Sequence, residues 1–251
     1  MTRPSWRGLL LGAWAVGIAA CQSGKVTAPL ASHGARATDA RLSDAPAPLD
    51  VVRLGPLAEN EKGGRLVLLL HGWRARGDDL VSLARTLAQP RVRFLIPAAP
   101  IPEPNGGRAW WSIDHPERPA PVSSDALPPH YPPHPQLEAA RHAIQALLRD
   151  AKRRYAPDAI AIAGFSQGAM LALDVALAAD PPVDRVAVLS GALLADSLPA
   201  LHVDRRQRPA VFVSHGRADP RLPFASGESI ERILAPRGYA VTFFPFDGGH
   251  E

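Results

Sequence analysis

Short, almost wholly apolar runs alternate along this chain with stretches where apolar side chains recur every three or four positions. Arg65-Leu66-Val67-Leu68-Leu69-Leu70 ends in His71-Gly72 and suits a central parallel strand covered on both faces. From Asp78 to Ala88, apolar residues at 80, 83, 84 and 87 predict a helix, with Asp78 or Asp79 placed to cap it. Arg91 to Pro97 reads as a second strand. Leu137, Ala140, Ile144, Leu147, Leu148 and Ala151 mark one face of an amphipathic helix. Ala159 to Ala163 is a short apolar strand, and Ala169 to Ala179 is apolar almost all round, which predicts a buried helix. Further strands are expected over 186–190, 210–214 and 240–246, with a helix near 223–237 that Gly227 and Pro236 weaken. The alternation predicts an α/β fold: a doubly wound, mostly parallel central sheet with helices on both faces.

Composition narrows this picture. The 251 residues are 46% apolar and 21% charged, which suits one large α/β domain and excludes wholesale disorder. Many of the 27 prolines fall between 97 and 135, so residues 98–135 read as irregular chain. The net charge of +4 comes with no basic block longer than Lys152-Arg153-Arg154, which argues against a nucleic-acid partner. A single cysteine excludes a disulfide framework and a cysteine-based metal cluster.

That cysteine stands at the end of a separate segment. Arg3 and Arg7 precede an apolar run, Gly8 to Ala20, too short to span a bilayer but suited to a signal peptide. Residues 1–20 are therefore expected to be a signal peptide. Gly17-Ile18-Ala19-Ala20-Cys21 resembles the lipobox of bacterial lipoproteins. The resemblance implies cleavage before Cys21, lipidation of its thiol and new amino group, and a membrane anchor in the bacterial cell envelope. Gln22 after the cysteine points to the outer membrane, by analogy with enterobacterial lipoproteins. Residues 22–48, rich in Ala, Ser, Pro, Gly and Thr, read as a tether. Such a tether reaches roughly 30 Å on average and about 90 Å at full stretch. The folded domain is expected over 49–251.

The candidate chemistry centres on Gly164-Phe165-Ser166-Gln167-Gly168, between an apolar strand and an apolar helix. That is the context of a nucleophile elbow, where a strained turn exposes the serine and close neighbouring backbone requires glycine two residues before and after. A serine hydroxyl needs a base, and the base an orienting acid. Asp219 follows the strand 210–214 and is the candidate acid; Asp196 and Asp204 lie in less structured chain. Among the histidines after Ser166, His250 sits in a glycine-flanked loop just beyond the last strand and is the candidate base. His215, four residues before Asp219, is expected to buttress the acid's loop, and His71 to be structural. Oxyanion donors are expected at the backbone N–H of Gln167 and of Trp73.

Taken together, Leu70-His71-Gly72, Gly164-Phe165-Ser166-Gln167-Gly168-Ala169, Ser214-His215-Gly216 with Asp219-Pro220, and Gly249-His250 resemble the phospholipase/carboxylesterase family of α/β hydrolases. The resemblance covers about residues 50–251. It implies the α/β-hydrolase fold, hydrolysis of esters or thioesters, and no metal or other cofactor. It assigns Ser166 as nucleophile, Asp219 as acid, His250 as base, and Trp73 and Gln167 as oxyanion donors. Arg108-Ala109-Trp110-Trp111-Ser112-Ile113-Asp114 resembles an aromatic segment bordering the substrate pocket of bacterial members, which makes Trp110 and Trp111 candidate pocket walls. Family chains normally continue past the catalytic histidine into a helix, whereas this sequence ends at Glu251. The partner expected is a small-molecule or lipid-like ester. Segment 114–136, with His115, His130 and His134, reads as a partial lid rather than a metal site. Arg205-Arg206-Gln207-Arg208 is expected to face solvent. Two other readings stay open: a non-catalytic surface lipoprotein using the fold as a binding module, and an esterase acting on polysaccharide-linked acetyl or feruloyl groups or on polyester.

Overall fold

The computed structural model describes residues 49–58, 60–104, 106–114, 118–122, 134–178, 180–202 and 208–251. The expected signal peptide, Cys21, the tether, His115, His130 and Arg205-Arg206 lie outside them. A seven-stranded sheet runs in the order β1-β3-β2-β6-β7-β8-β9. Its members are β1 (Val51–Leu54), β2 (Arg65–Leu70), β3 (Val92–Pro97), β6 (Ala159–Phe165), β7 (Arg185–Leu189), β8 (Ala210–Gly216) and β9 (Val241–Phe246). Only β1 pairs antiparallel, against β3; the five other pairings are parallel. A second sheet joins β4 (Ile101–Pro102) to β5 (Arg108–Ala109).

Side-chain alternation on β2 divides the core between the two faces of the sheet. Leu66, Leu68 and Leu70 join the larger cluster, while Leu69 joins the smaller one with Phe94 and Ile96. The smaller cluster is covered by α1 (Val81–Thr86). The larger is covered by α2 (Pro135–Tyr155), α3 (Gln167–Ala178) and α4 (Phe224–Leu234). Helix α2 buries the predicted stripe of Leu137, Ala140, Ile144, Leu148 and Ala151 and ends at Ala156 in a left-handed cap. Helix α3 is buried all round through Leu177, as its composition predicts.

Several boundaries differ from expectation. Helix α1 starts at Val81, and neither Asp78 nor Asp79 caps it. Asp79 Oδ2 instead accepts the Arg76 N–H at 3.0 Å, and Asp78 pairs with the Arg76 guanidinium, so both carboxylates are engaged in the turn before the helix. Helix α3 starts two residues earlier than its apolar run, at the elbow itself. Helix α4 runs through Gly227 and passes at Leu234 into a 3-10 turn, Ala235–Arg237, which contains Pro236. Strand β1, the β4–β5 pair and a 3-10 helix over Ala195–His202 are too short to be read from periodicity.

Candidate active site

Strand β6 ends at Phe165 and α3 begins at Gln167, so Ser166 makes the whole turn. Its φ is +53°, a left-handed conformation that costs a serine on the order of 1–3 kcal/mol and persists only where its surroundings enforce it. They do so here. The Ser166 N–H donates to Leu189 O at 2.9 Å, and its carbonyl accepts from Ala169 and Met170. A Cβ on Gly164 would fall well inside contact with the Gly168 carbonyl, and one on Gly168 inside contact with the carbonyls of Leu70 and His71. The glycine pattern is therefore a packing requirement at the elbow.

Ser166, Asp219 and His250, drawn from three separate stretches of sequence, meet in one hydrogen-bonded line. Ser166 Oγ lies 2.8 Å from His250 Nε2, and His250 Nδ1 lies 2.7 Å from Asp219 Oδ2. The loops after β8 and β9 bond to one another, Arg217 N–H to Phe246 O at 2.9 Å and Ala218 N–H to Gly248 O at 3.0 Å. A Cβ on Gly216 would collide with the Gly249 carbonyl, so glycine lets these loops approach. The loops that carry Asp219 and His250 are thus bonded to each other. The Phe165 ring stands 5.0 Å from the His250 ring, and the Ser190 hydroxyl donates to the backbone oxygen of Glu251 at 2.6 Å.

The Asp219 carboxylate is buried. Burial opposes its charge, but the N–H groups of Leu222, the His250 ring and Arg221 outweigh that penalty and hold it below the ordinary carboxylate value. Arg221 N–H and Leu222 N–H reach Oδ1 at 2.8 and 2.9 Å. His215 Nε2 lies 3.3 Å from Oδ2.

The loop after β2 lies against the elbow. A side chain at Gly72 would meet the Phe165 ring at 3.1 Å and Ser166 Cβ at 3.4 Å. Trp73, the next residue, therefore begins beside the serine. Its ring is stacked under the Arg74 guanidinium, 4.1 Å away, and Arg74 pairs with Glu103 at 3.2 Å. Arg74 holds φ at +60°, and its N–H donates to Arg108 O. His71 is buried and structural. Its Nδ1–H donates to Gly72 O at 2.8 Å, and its Nε2 accepts the Ala99 N–H at 3.0 Å. Burial pushes this imidazole below its ordinary value of 6.5.

Trp110 and Trp111, expected from the sequence to wall a pocket, are packed into the core. They are 0% and 3% exposed and belong to the core. The Trp110 indole N–H donates to His71 O at 2.9 Å, satisfying the one polar atom of a buried ring. They serve the site through their backbone. Gln167 Oε1 accepts the Trp110 N–H at 2.9 Å, and Gln167 Nε2 donates to Trp111 O at 2.8 Å. This clamp ties the first residue of α3 to the aromatic segment, and no periodicity or motif signals it. Among the described residues no group of three or more His, Cys, Asp or Glu side chains is placed to hold a metal ion.

The family model of phospholipase/carboxylesterase matches residues 57–251. Acyl-protein thioesterase 1 of Kluyveromyces lactis is 28% identical over 199 residues, spanning 74% of this chain and 82% of that protein. The crystal structure of esterase PE8 superposes with a TM-score of 0.66 at 27% identity, covering 82% of this chain and 92% of that one. A phospholipase/carboxylesterase from Dyadobacter fermentans, at 22% identity, shares the fold with a TM-score of 0.61 over 81% of this chain and 90% of its own. With the parallel sheet, the strained serine turn and a family match running through all three meeting side chains, the chain belongs to the phospholipase/carboxylesterase family of α/β hydrolases and is a carboxylic ester hydrolase.

Proposed function

We propose that this hydrolase cleaves carboxylic esters and thioesters through an acyl-enzyme on Ser166. His250, oriented by Asp219, takes the Ser166 proton as Oγ adds to the ester carbonyl. The backbone N–H groups of Trp73 and Gln167 hold the oxyanion, the latter favoured by its place in the first turn of α3, where N–H groups lack helical partners. His250 then gives the proton to the leaving alcohol or thiol. Water, activated by the same base, releases the acid and restores Ser166. The observation that supports this most is the unbroken chain from Ser166 Oγ through both His250 nitrogens to Asp219, with bonds of 2.8 and 2.7 Å. The substrate class is a small-molecule or lipid-like ester.

The test uses the full chain extracted in mild detergent. It should hydrolyse p-nitrophenyl esters, and the series from acetate to dodecanoate measures its acyl preference. Ser166→Ala should lower kcat by about 10³-fold or more with an unchanged melting temperature. Turnover that survives in this variant sinks the assignment.

The domain is also proposed to act at a bacterial envelope membrane, anchored by lipidation of Cys21. The apolar segment Gly8 to Ala20 and the small residues before the cysteine support this. Metabolic labelling with a fatty acid should mark the wild type and not Cys21→Ser; equal labelling of both removes the anchor.

A further inference from the structure

His215 is a buried polar ring whose place the reaction scheme leaves unexplained. We infer that His215 is a positioning residue: its Nε2–H fixes the Asp219 carboxylate and so sets the angle from which His250 reaches Ser166. This rests on the acyl-enzyme reading above.

The location of the ring proton follows from its neighbours. His215 Nε2 lies 3.1 Å from the Leu222 carbonyl, which can only accept, so Nε2 carries the hydrogen. While that hydrogen bond goes to Leu222, the same nitrogen lies 3.3 Å from Asp219 Oδ2, the oxygen that His250 Nδ1 also addresses. Oδ1 is held by the N–H groups of Arg221 and Leu222. Leu222 thus receives from His215 through its carbonyl and donates to Asp219 through its amide, closing a ring around the turn 215–222. Oδ1 is thus fixed by two N–H donors, and Oδ2 lies against the His215 ring as well as His250, so the ring restricts rotation of the carboxylate away from the base.

The ring itself is clamped. It is 0% exposed at the end of β8, and α4 packs on it at Gly227, where a Cβ would stand 2.7 Å from His215 Cβ and 2.9 Å from Nδ1. Phe224 meets it edge-on at 6.2 Å. A glycine inside a helix costs about 1 kcal/mol relative to alanine, and here it makes room for the imidazole. Nδ1 has no hydrogen-bond partner among the described residues. Burying a polar nitrogen without a partner is unfavourable, so packing alone would be better served by a leucine or phenylalanine. What the histidine supplies is the Nε2 donor. The charged group against it is Asp219 on its own loop, which His250 meets from beyond β9; α4 faces it with the uncharged Phe224 and Gly227.

Three variants of the full chain test this: His215→Leu removes the donor, His215→Gln keeps one near the Nε2 position, and Gly227→Ala pushes the ring. With p-nitrophenyl butyrate, His215→Leu and Gly227→Ala should lose about tenfold to 100-fold in kcat, with KM within about twofold, since small misplacements of a reacting group carry losses of that size. The acid limb of the kcat/KM profile should move to higher pH in His215→Leu, because an Asp219 with one donor fewer concentrates its charge on His250 and favours the protonated base. His215→Gln should recover much of the loss and return the limb towards the wild type. If His215→Leu does not fold, Gly227→Ala and His215→Gln carry the same comparison. An unmoved pH profile, or a loss explained by the fraction of unfolded protein, overturns the inference. A fluorophosphonate that labels wild-type Ser166 while these variants behave as wild type defeats the inference alone. Wild-type protein that is folded yet unlabelled defeats the acyl-enzyme reading beneath it.

Discussion

His71 shows how one side chain ties the site to pH. Its Nε2 accepts from Ala99 N–H, so protonating it would set two N–H donors against each other in a buried space. Burial lowers its folded value below 6.5 while the unfolded chain keeps the ordinary one. The stabilisation is therefore present above about pH 6.5 and is lost as pH falls below it through the depressed value. The wild type should lose more melting temperature between pH 7 and pH 5 than His71→Asn, measured by calorimetry at both; equal losses contradict this. Asp219 acts in a separate, lower window, since its depressed carboxylate loses its contribution only as pH falls below the ordinary carboxylate range. At this scale the sequence was legible where chemistry imposes a motif. Ser166, Asp219 and His250 could be picked out by chain order and position at strand ends, and they meet. His215 could be placed against the acid's loop by its spacing from Asp219. The Gln167 clamp was not legible, because side-chain bonds across 56 or 57 residues leave no periodic trace. The burial of Trp110 and Trp111 was not legible either, because a large aromatic near a site suits a pocket or a core equally well by composition.

Among the elements, the β6–α3 junction is the most constrained. Gly168 lies under the carbonyls of Leu70 and His71 at the end of β2, so this turn joins two neighbouring strands and one helix. Gly168→Ala should destabilise by about 1–3 kcal/mol, the usual cost of overpacking, and lower turnover further by tilting the start of α3. Urea unfolding with parallel kinetics measures both, and a wild-type midpoint would show that the turn yields freely. The apolar runs located β2, β3, β6, β7, β8 and β9 to within one or two residues because strands covered on both faces are predominantly apolar. Helix ends were less legible. The Asp78-Asp79 pair resembles a cap in sequence, yet Arg76 engages both carboxylates before the helix starts. Gly227 looks like a helix breaker until the His215 ring is seen against it.

Across the whole molecule, a buried charge network fastens two helices and the 3-10 helix to one another. Arg141 on α2 forms a two-bond pair with Asp174 on α3, at 2.6 and 2.9 Å, and Ser197 in the 3-10 helix donates to the same carboxylate at 2.7 Å. Asp174 is 2% exposed, so removing it takes away the carboxylate that accepts both Arg141 bonds. Asp174→Ala should cost about 3–5 kcal/mol, the range for breaking a buried pair from one side, without altering the pH profile of the esterase. Chemical denaturation reads the first and rate profiles the second; a loss under 1 kcal/mol would mean that water replaces the aspartate. The sequence offered no sign of this network, since Arg141 reads as the polar face of an amphipathic helix and Asp174 as a lone charge in an apolar one.

The central claim is that His250 activates Ser166. Full-length protein treated with a fluorophosphonate and digested for mass spectrometry should carry one adduct, on the peptide containing Ser166. Labelling of His250→Ala should be slower by at least about 10²-fold, the lower end of what general-base assistance contributes. A folded wild type with no adduct, or an adduct that forms equally fast without His250, would contradict the account.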